Sequence, residues 1–222
     1  MPFGRVGATE RLFSSLPFHT MRLAIGLMLF VCCAAHADPA TFTFDPVVNA
    51  GVQIAPAAPA DAPRAKPAFG SKDTWRWQVL LGGMTDFESA EQVEFGISAS
   101  YFIIDNLSVD FQVEGDYIAQ PVANAWGGGG TILFRWHFLA YQTWSLYADA
   151  GSGVIATTVN TPSGGTSFNF TPQAGGGVSF DVAEDLRLMV GARWYHISNA
   201  NTGETNPGRN SLMGYVMLSI PF

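Results

Sequence analysis

The feature that most limits what this chain can become is a period-two alternation that begins at Thr74 and continues to the C-terminus. Trp75, Trp77, Val79 and Leu81 alternate with Arg76, Gln78 and Leu80. Later, Leu107, Val109, Phe111 and Val113 alternate with Ser108, Asp110, Gln112 and Glu114. The same rhythm recurs over residues 93–101, 126–138, 144–151, 168–181, 186–194 and 212–222, making eight stretches in all. Successive side chains of a strand point to opposite faces of its sheet, so each stretch has one apolar face and one polar or small face. A helix would repeat every 3.6 residues instead.

Such alternation suits a soluble sandwich as well as a membrane barrel, and three further features favour the barrel. Several stretches run for about ten residues or more, the length a tilted membrane strand needs. Aromatic residues gather near the strand ends, as in interfacial girdles. The connections also alternate in length. Ile104–Asn106, Leu139–Thr143 and Ala183–Asp185 are tight, whereas Asp86–Gln92, Ile118–Ala123, Thr157–Ser167 and Asn199–Arg209 are longer. Short periplasmic turns and long outer loops mark outer-membrane barrels, which take even strand numbers such as eight. The expected fold is therefore all-β, an eight-stranded antiparallel up-and-down transmembrane β-barrel over residues 74–222.

Composition agrees. Charged residues make up 13% of the chain, against about 25% in an ordinary soluble domain. Beyond residue 40 no window offers about 20 consecutive apolar residues, which removes helical spans there. The formal net charge of −7 argues against nucleic acid, whose phosphates attract Lys and Arg.

Residues 1–37 read as a signal peptide. Arg22 is a short positive region, Leu23–Cys33 is an apolar stretch too short to span a bilayer, and Ala35-His36-Ala37 fits the cleavage rule. The polar stretch before Met21 suggests that Met21 is the true start. Cleavage there would remove Cys32 and Cys33, leaving no thiol in the mature chain, and Val31 is a poor lipoprotein-type neighbour for Cys32. Residues 38–73 carry Pro39, Pro46, Pro56, Pro59, Pro63 and Pro67. Proline fixes φ and removes a ladder donor, so this segment is expected to be an extended periplasmic tail or linker.

Inside a barrel of eight strands the side chains just fill the bore. Asp110, Gln112, Glu114 and Asp116 are therefore expected to meet Arg135, Arg187 and Arg193 in a packed polar network rather than to line a pore. Gly127–Gly130 followed by Thr131 lacks the Gly-Lys-Ser/Thr ending of a phosphate loop and falls within a strand. With no His-Glu-x-x-His pattern and no mature cysteine, no metal site and no cofactor are expected.

One constellation carries chemistry. Trp194-Tyr195-His196-Ile197-Ser198-Asn199-Ala200 closes the seventh stretch, and His196 and Ser198 share a face with Leu188, Val190, Ala192 and Trp194. That is the lipid-facing side, where polar residues are costly, least so near the interface. In the eighth stretch the apolar face holds the even-numbered residues from Leu212 to Phe222, and the same parity puts Asn210 on the outer face. The two stretches form a hairpin, so a serine, a histidine and an amide converge on the outside of the barrel. With a periplasmic N-terminus, that end is extracellular.

His196-x-Ser198-Asn199-Ala200, followed by Asn206-Pro207-Gly208 and a final hairpin ending in Phe222, resembles the lipid A 3-O-deacylase (PagL-type) family. The resemblance covers about Arg193–Phe222 in motif and the rest from about Thr74 in pattern only. It implies an outer-membrane barrel with an outward serine-hydrolase site acting on lipid A (lipopolysaccharide), with His196 as base and Ser198 as nucleophile. The sequence departs from that family at the third member, where Asn210 stands at the position of a Glu. An amide can orient an imidazole but adds no negative charge, and in a Ser-His-Asp protease the carboxylate-to-amide change costs on the order of 10⁴ in rate. The same stretch also resembles outer-membrane phospholipase A, whose His-Ser-Asn site makes Asn210 a precedented orienter, although residues 74–222 are too few for that enzyme's twelve strands. Glu204, in the intervening loop, is a substitute orienter.

The resulting scheme is ester hydrolysis without a metal, through an acyl-enzyme on Ser198. Oxyanion donors are sought at Asn199, at the backbone of Ala200–Gly203 and at Gly208. The competing reading is a non-catalytic structural or adhesion-type barrel, with His196 and Ser198 as wet interfacial residues. The sequence leaves open whether the barrel forms a homodimer and which acyl chain it prefers.

Overall fold

A computed structural model describes residues 68–222 of the chain. The signal peptide, the Met21 start and most of the Pro/Ala-rich segment lie outside the described residues.

Nine strands follow one another: β1 (Trp75–Thr85), β2 (Glu91–Ile104), β3 (Leu107–Ala119), β4 (Ala125–Ala140), β5 (Trp144–Thr157), β6 (Phe168–Phe170), β7 (Gln173–Ala183), β8 (Leu186–Ile197) and β9 (Arg209–Pro221). Each long strand pairs antiparallel with its neighbours, and β9 returns to β1, with Trp77 opposite Ile220 and Thr85 opposite Leu212. That pairing closes the sheet and leaves no open edge, the condition for strands to lie in hydrocarbon. β6 and β7 both lie against β5 and form one stave, so the closed barrel has eight.

The sixth stretch differs from its sequence reading, which treats residues 168–181 as continuous. The strand lapses at Thr171–Pro172, although Thr171 still exchanges backbone hydrogen bonds with Gly153. Proline brings no N–H to the ladder, so a strand breaks or bulges where it stands. Above the break Phe170 exchanges backbone hydrogen bonds with Ser198, from Phe170 N–H to the Ser198 carbonyl at 2.8 Å and from Ser198 N–H to the Phe170 carbonyl at 3.2 Å. The Pro172 carbonyl accepts the His196 N–H at 3.0 Å. The register of β7 carries on across the break, Phe170 opposite Ser198 as Gln173 is opposite Tyr195, so β6 braces the end of β8.

Alternation sorts the side chains as expected. On β1, Trp75, Trp77, Val79 and Leu81 are exposed on the outer wall, while Arg76, Gln78 and Leu80 are buried in the lumen. Aromatic pairs ring both ends. Trp77 stacks on Phe222, and Tyr141 on Trp144, at the end with the tight turns. Tyr117 with Trp126, and Phe168 with Phe170, ring the end with the long loops.

The lumen is packed. Leu80, Met84, Met189, Met213 and Met217 fill it along with the rings of Tyr147, Tyr195 and Tyr215. At mid-height Asp149 bridges two guanidiniums, Arg135 at 3.2 Å and Arg193 at 2.8 Å. Arg135 also meets Asp110 at 2.5 Å. The acids of β3 do not all pair with arginine. Glu114 accepts hydrogen bonds from Thr131 and Gln112, and Asp116 from Gln92. Arg187 turns to Asp181 at 2.7 Å and lies over the Phe69 ring at 3.8 Å, near the tight-turn mouth. Gly127–Gly130 lies within β4, paired to β3 and β5.

Candidate active site

On β8 the odd-numbered residues Arg193, Tyr195 and Ile197 point inward and are buried, so parity sends Trp194 and His196 outward. On β9 inward Arg209 and Ser211 likewise leave Asn210 on the outer wall. The register of the hairpin sets His196 opposite Asn210 and Trp194 opposite Leu212. Directly opposed side chains on one face lie close enough to interact. The His196 Nδ1 and the Asn210 Oδ1 are 2.8 Å apart. The indole N–H of Trp194 donates to the same Asn210 oxygen at 3.1 Å, and its ring stacks on the imidazole at a centroid distance of 5.7 Å and 21° between planes.

Ser198 lies just past the end of β8, held by its two backbone hydrogen bonds to Phe170. It is 9% exposed, and its hydroxyl has no hydrogen-bond partner among the described residues. Gly208 connects the two groups. A Cβ at position 208 would lie 2.9 Å from the His196 Cε1, 3.3 Å from Nε2 and 3.7 Å from the Ser198 Cβ. The Nε2 edge of the imidazole and the serine therefore flank the same spot, which a side chain at 208 would fill.

The loop between β8 and β9 is built around Asn199, which is buried. Its N–H donates to Asn206 Oδ1 at 3.1 Å, its amide nitrogen to the Thr205 carbonyl at 2.7 Å, and its Oδ1 accepts the Asn201 N–H at 3.0 Å. The Thr202 N–H and hydroxyl both close on the Asn199 carbonyl. Thr205 in turn reaches the neighbouring loop, its hydroxyl donating to the Gly164 carbonyl at 2.5 Å. These bonds commit the Asn199 backbone N–H and one of its two amide donors to shaping the loop, and the Gly208 N–H donates to the Asn206 carbonyl at 2.9 Å. The Ala200 N–H has no such partner among the described residues. Ala200 and Asn201 have φ of 52° and 62°, the left-handed region that costs an alanine and recurs at functional sites. Glu204 is exposed in this loop, and the partner of the His196 Nδ1 is Asn210.

Ser198, His196 and Asn210 thus come together on the outer wall. The sequence reading missed the parts that hold them: the Trp194 indole on Asn210, the Phe170 brace and the close approach at Gly208. Among the described residues no group of three or more His, Cys, Asp or Glu side chains is arranged to hold a metal ion.

A family model described as lipid A 3-O-deacylase (PagL) matches residues 99–219. No curated protein matches the sequence. Among solved structures, the N-terminal β-barrel domain of Pseudomonas aeruginosa OprF is similar in fold, with a TM-score of 0.50 and 13% identity over 68% of this chain and 98% of that one. Neisserial surface protein A is similar at a TM-score of 0.50 and 18% identity, over 67% and 96%. The outer membrane enzyme PagL aligns at a TM-score of 0.46 and 21% identity, over 66% and 99%.

Proposed function

This chain belongs to the lipid A 3-O-deacylase (PagL) family, and from that premise we propose that it hydrolyses the ester-linked acyl chain at the 3-position of lipid A in the outer leaflet, using Ser198 as nucleophile and His196 as base. The observation that carries this reading is the 2.8 Å contact between His196 Nδ1 and Asn210 on the outer wall beside Ser198. A polar trio on that wall is costly unless it serves something already in the bilayer. An acyl ester of a membrane lipid is such a substrate, and it reaches the site from the side without leaving the membrane.

In this mechanism Asn210 holds the imidazole with the proton on Nδ1 and leaves Nε2 as acceptor. The Ser198 hydroxyl turns toward Nε2, gives up its proton and attacks the ester carbonyl. The tetrahedral oxyanion is met by the Ala200 N–H, two residues beyond Ser198 and not engaged within the loop. The imidazolium then protonates the departing sugar oxygen, which leaves as a hydroxyl as the ester C–O bond breaks. Water, activated by the same nitrogen, releases the fatty acid and restores Ser198. Export belongs to the same proposal, with residues 1–37 as signal peptide and residues 38–73 as a periplasmic tail ahead of the barrel.

The test is to express the protein in the outer membrane of a host lacking this activity and to weigh its lipid A by mass spectrometry. Loss of one 3-hydroxyacyl chain, abolished by Ser198→Ala, is the expected result. Intact lipid A in membranes that contain the folded barrel would overturn the reading. Release of fatty acid from phospholipid instead would transfer the site to phospholipase chemistry.

A further inference from the structure

We propose that Trp194 is a positioning residue that fixes the direction of the Asn210 amide, and that this is how an amide replaces a carboxylate beside His196. The inference rests on the deacylase reading for its kinetic consequence but not for its geometry.

A carboxylate has two equivalent oxygens and presents an acceptor either way round. An amide has one oxygen and one NH₂ and does not. With Oδ1 toward the imidazole, Asn210 accepts from Nδ1–H, and Nε2 is free to take the serine proton. With Nδ2 toward the imidazole, Nδ1 becomes the acceptor and the proton moves to Nε2, where it blocks the reaction. A wrong imidazole tautomer is the reason that carboxylate-to-amide changes are so damaging in Ser-His-Asp proteases.

An indole N–H can only donate. Its 3.1 Å contact therefore demands an oxygen at the Asn210 atom it faces, and that same atom lies 2.8 Å from His196 Nδ1. Turning the amide over would set an NH₂ against the indole N–H and lose that hydrogen bond. The stack of Trp194 on the imidazole keeps donor, acceptor and ring in one layer on the outer wall. Ordinary alternation supplies the arrangement, since Trp194 and His196 share a face of β8 and Asn210 lies opposite His196.

The experiment is a double-mutant cycle of Trp194→Phe and Asn210→Glu, each barrel refolded and checked by circular dichroism. Phenylalanine keeps an aromatic ring beside the imidazole and removes only the donor. In the Asn210 background, Trp194→Phe is expected to lower kcat about tenfold, the worth of one hydrogen bond holding the productive form, with KM unchanged. In the Asn210→Glu background the same substitution is expected to change kcat less than twofold, because a carboxylate needs no orienting. A merely structural role for the indole predicts equal losses in both backgrounds, and that result would overturn the proposal. So would an unaltered kcat in Trp194→Phe of an active enzyme. Nitrogen-15 NMR of histidine-labelled protein reads the tautomer directly, without turnover. His196 is expected to carry its proton on Nδ1 in the parent and to show a mixture in Trp194→Phe. An inactive parent with the expected tautomer shift would sink the deacylase reading alone. An active parent with no shift would sink this inference alone.

Discussion

His137 and His196 lie at opposite ends of the barrel and on opposite sides of its wall, and each has a serine nearby. His137 is inside, near the tight turns, with Nδ1 2.7 Å from the Ser145 hydroxyl, which is itself 2.6 Å from Ser179. Phe69 packs edge-on against the His137 ring at 4.9 Å, and Tyr147 lies at 5.4 Å. His196 is outside, near the long loops, with Nδ1 on Asn210 and its other edge toward Gly208 and Ser198. The inner pair has the shorter histidine–serine contact and the poorer arrangement for chemistry. Its hydroxyl occupies the nitrogen that an orienting acceptor would need, and it is walled off from any lipid. What separates a site from a packing contact here is how each ring nitrogen is used and which face of the strand it lies on.

The largest effects should fall on the outer pair. Ser198→Ala and His196→Ala are each expected to lower deacylation of lipid A by on the order of 10³-fold or more, leaving only residual binding catalysis. Asn210→Ala removes the orienter but leaves nucleophile and base, so a smaller loss of roughly 10²- to 10³-fold is expected in the same assay. Gly208→Ala comes next. The added methyl would lie 2.9 Å from the imidazole Cε1 and push the ring away from Ser198. Displacements of that size cost about 10²-fold in rate, and the Asn210 contact resists part of it, so tenfold to 10²-fold is expected in kcat.

Much of this is legible in the sequence. Period two and the two classes of connection are backbone properties, and the barrel with its inward and outward faces follows from them. The outward position of His196 and Asn210 required only parity counted along two strands. The Phe170 brace was hidden because alternation tells which face a residue takes and not which residue lies opposite it, and Phe170 meets Ser198 only through the register of β7 on β8. Trp194 read as one more aromatic of the outer belt. Its role depends on a diagonal contact across the hairpin, and sequence shows such a contact only when the register is known to the residue. The pairing within the lumen was equally out of reach. Asp149, on the fifth strand, bridges Arg135 and Arg193, whereas Glu114 and Asp116 find amides and a hydroxyl.

Inside the barrel, substitutions should separate stability from rate. Asp149→Asn leaves Arg135 and Arg193 without their shared charge in a closed lumen. Breaking a buried pair this way costs roughly 3–5 kcal/mol, to be read from the urea midpoint of the refolded barrel in detergent. Activity per folded molecule should change less than twofold, because neither guanidinium reaches the outer wall. A parallel collapse of kcat would mean that the lumen sets the geometry of the site.

The smallest effect on rate is expected at the inner pair itself, and it is the sharpest check on the comparison. Ser145→Ala removes the hydroxyl that links His137 to Ser179, leaving two buried polar groups short of a partner. The expected cost is about 1–3 kcal/mol of stability. The strand pairing, the Phe69 cap over the turn-end mouth and the whole outer wall stay in place, so deacylation per folded barrel should match the parent within about twofold. If Ser145→Ala instead lost activity as Ser198→Ala does, with the folded fraction unchanged, the inner hydroxyl would be the nucleophile. The outward placement of His196 and Asn210 would then have no part in the chemistry, and the assignment built on strand parity would have to be reversed.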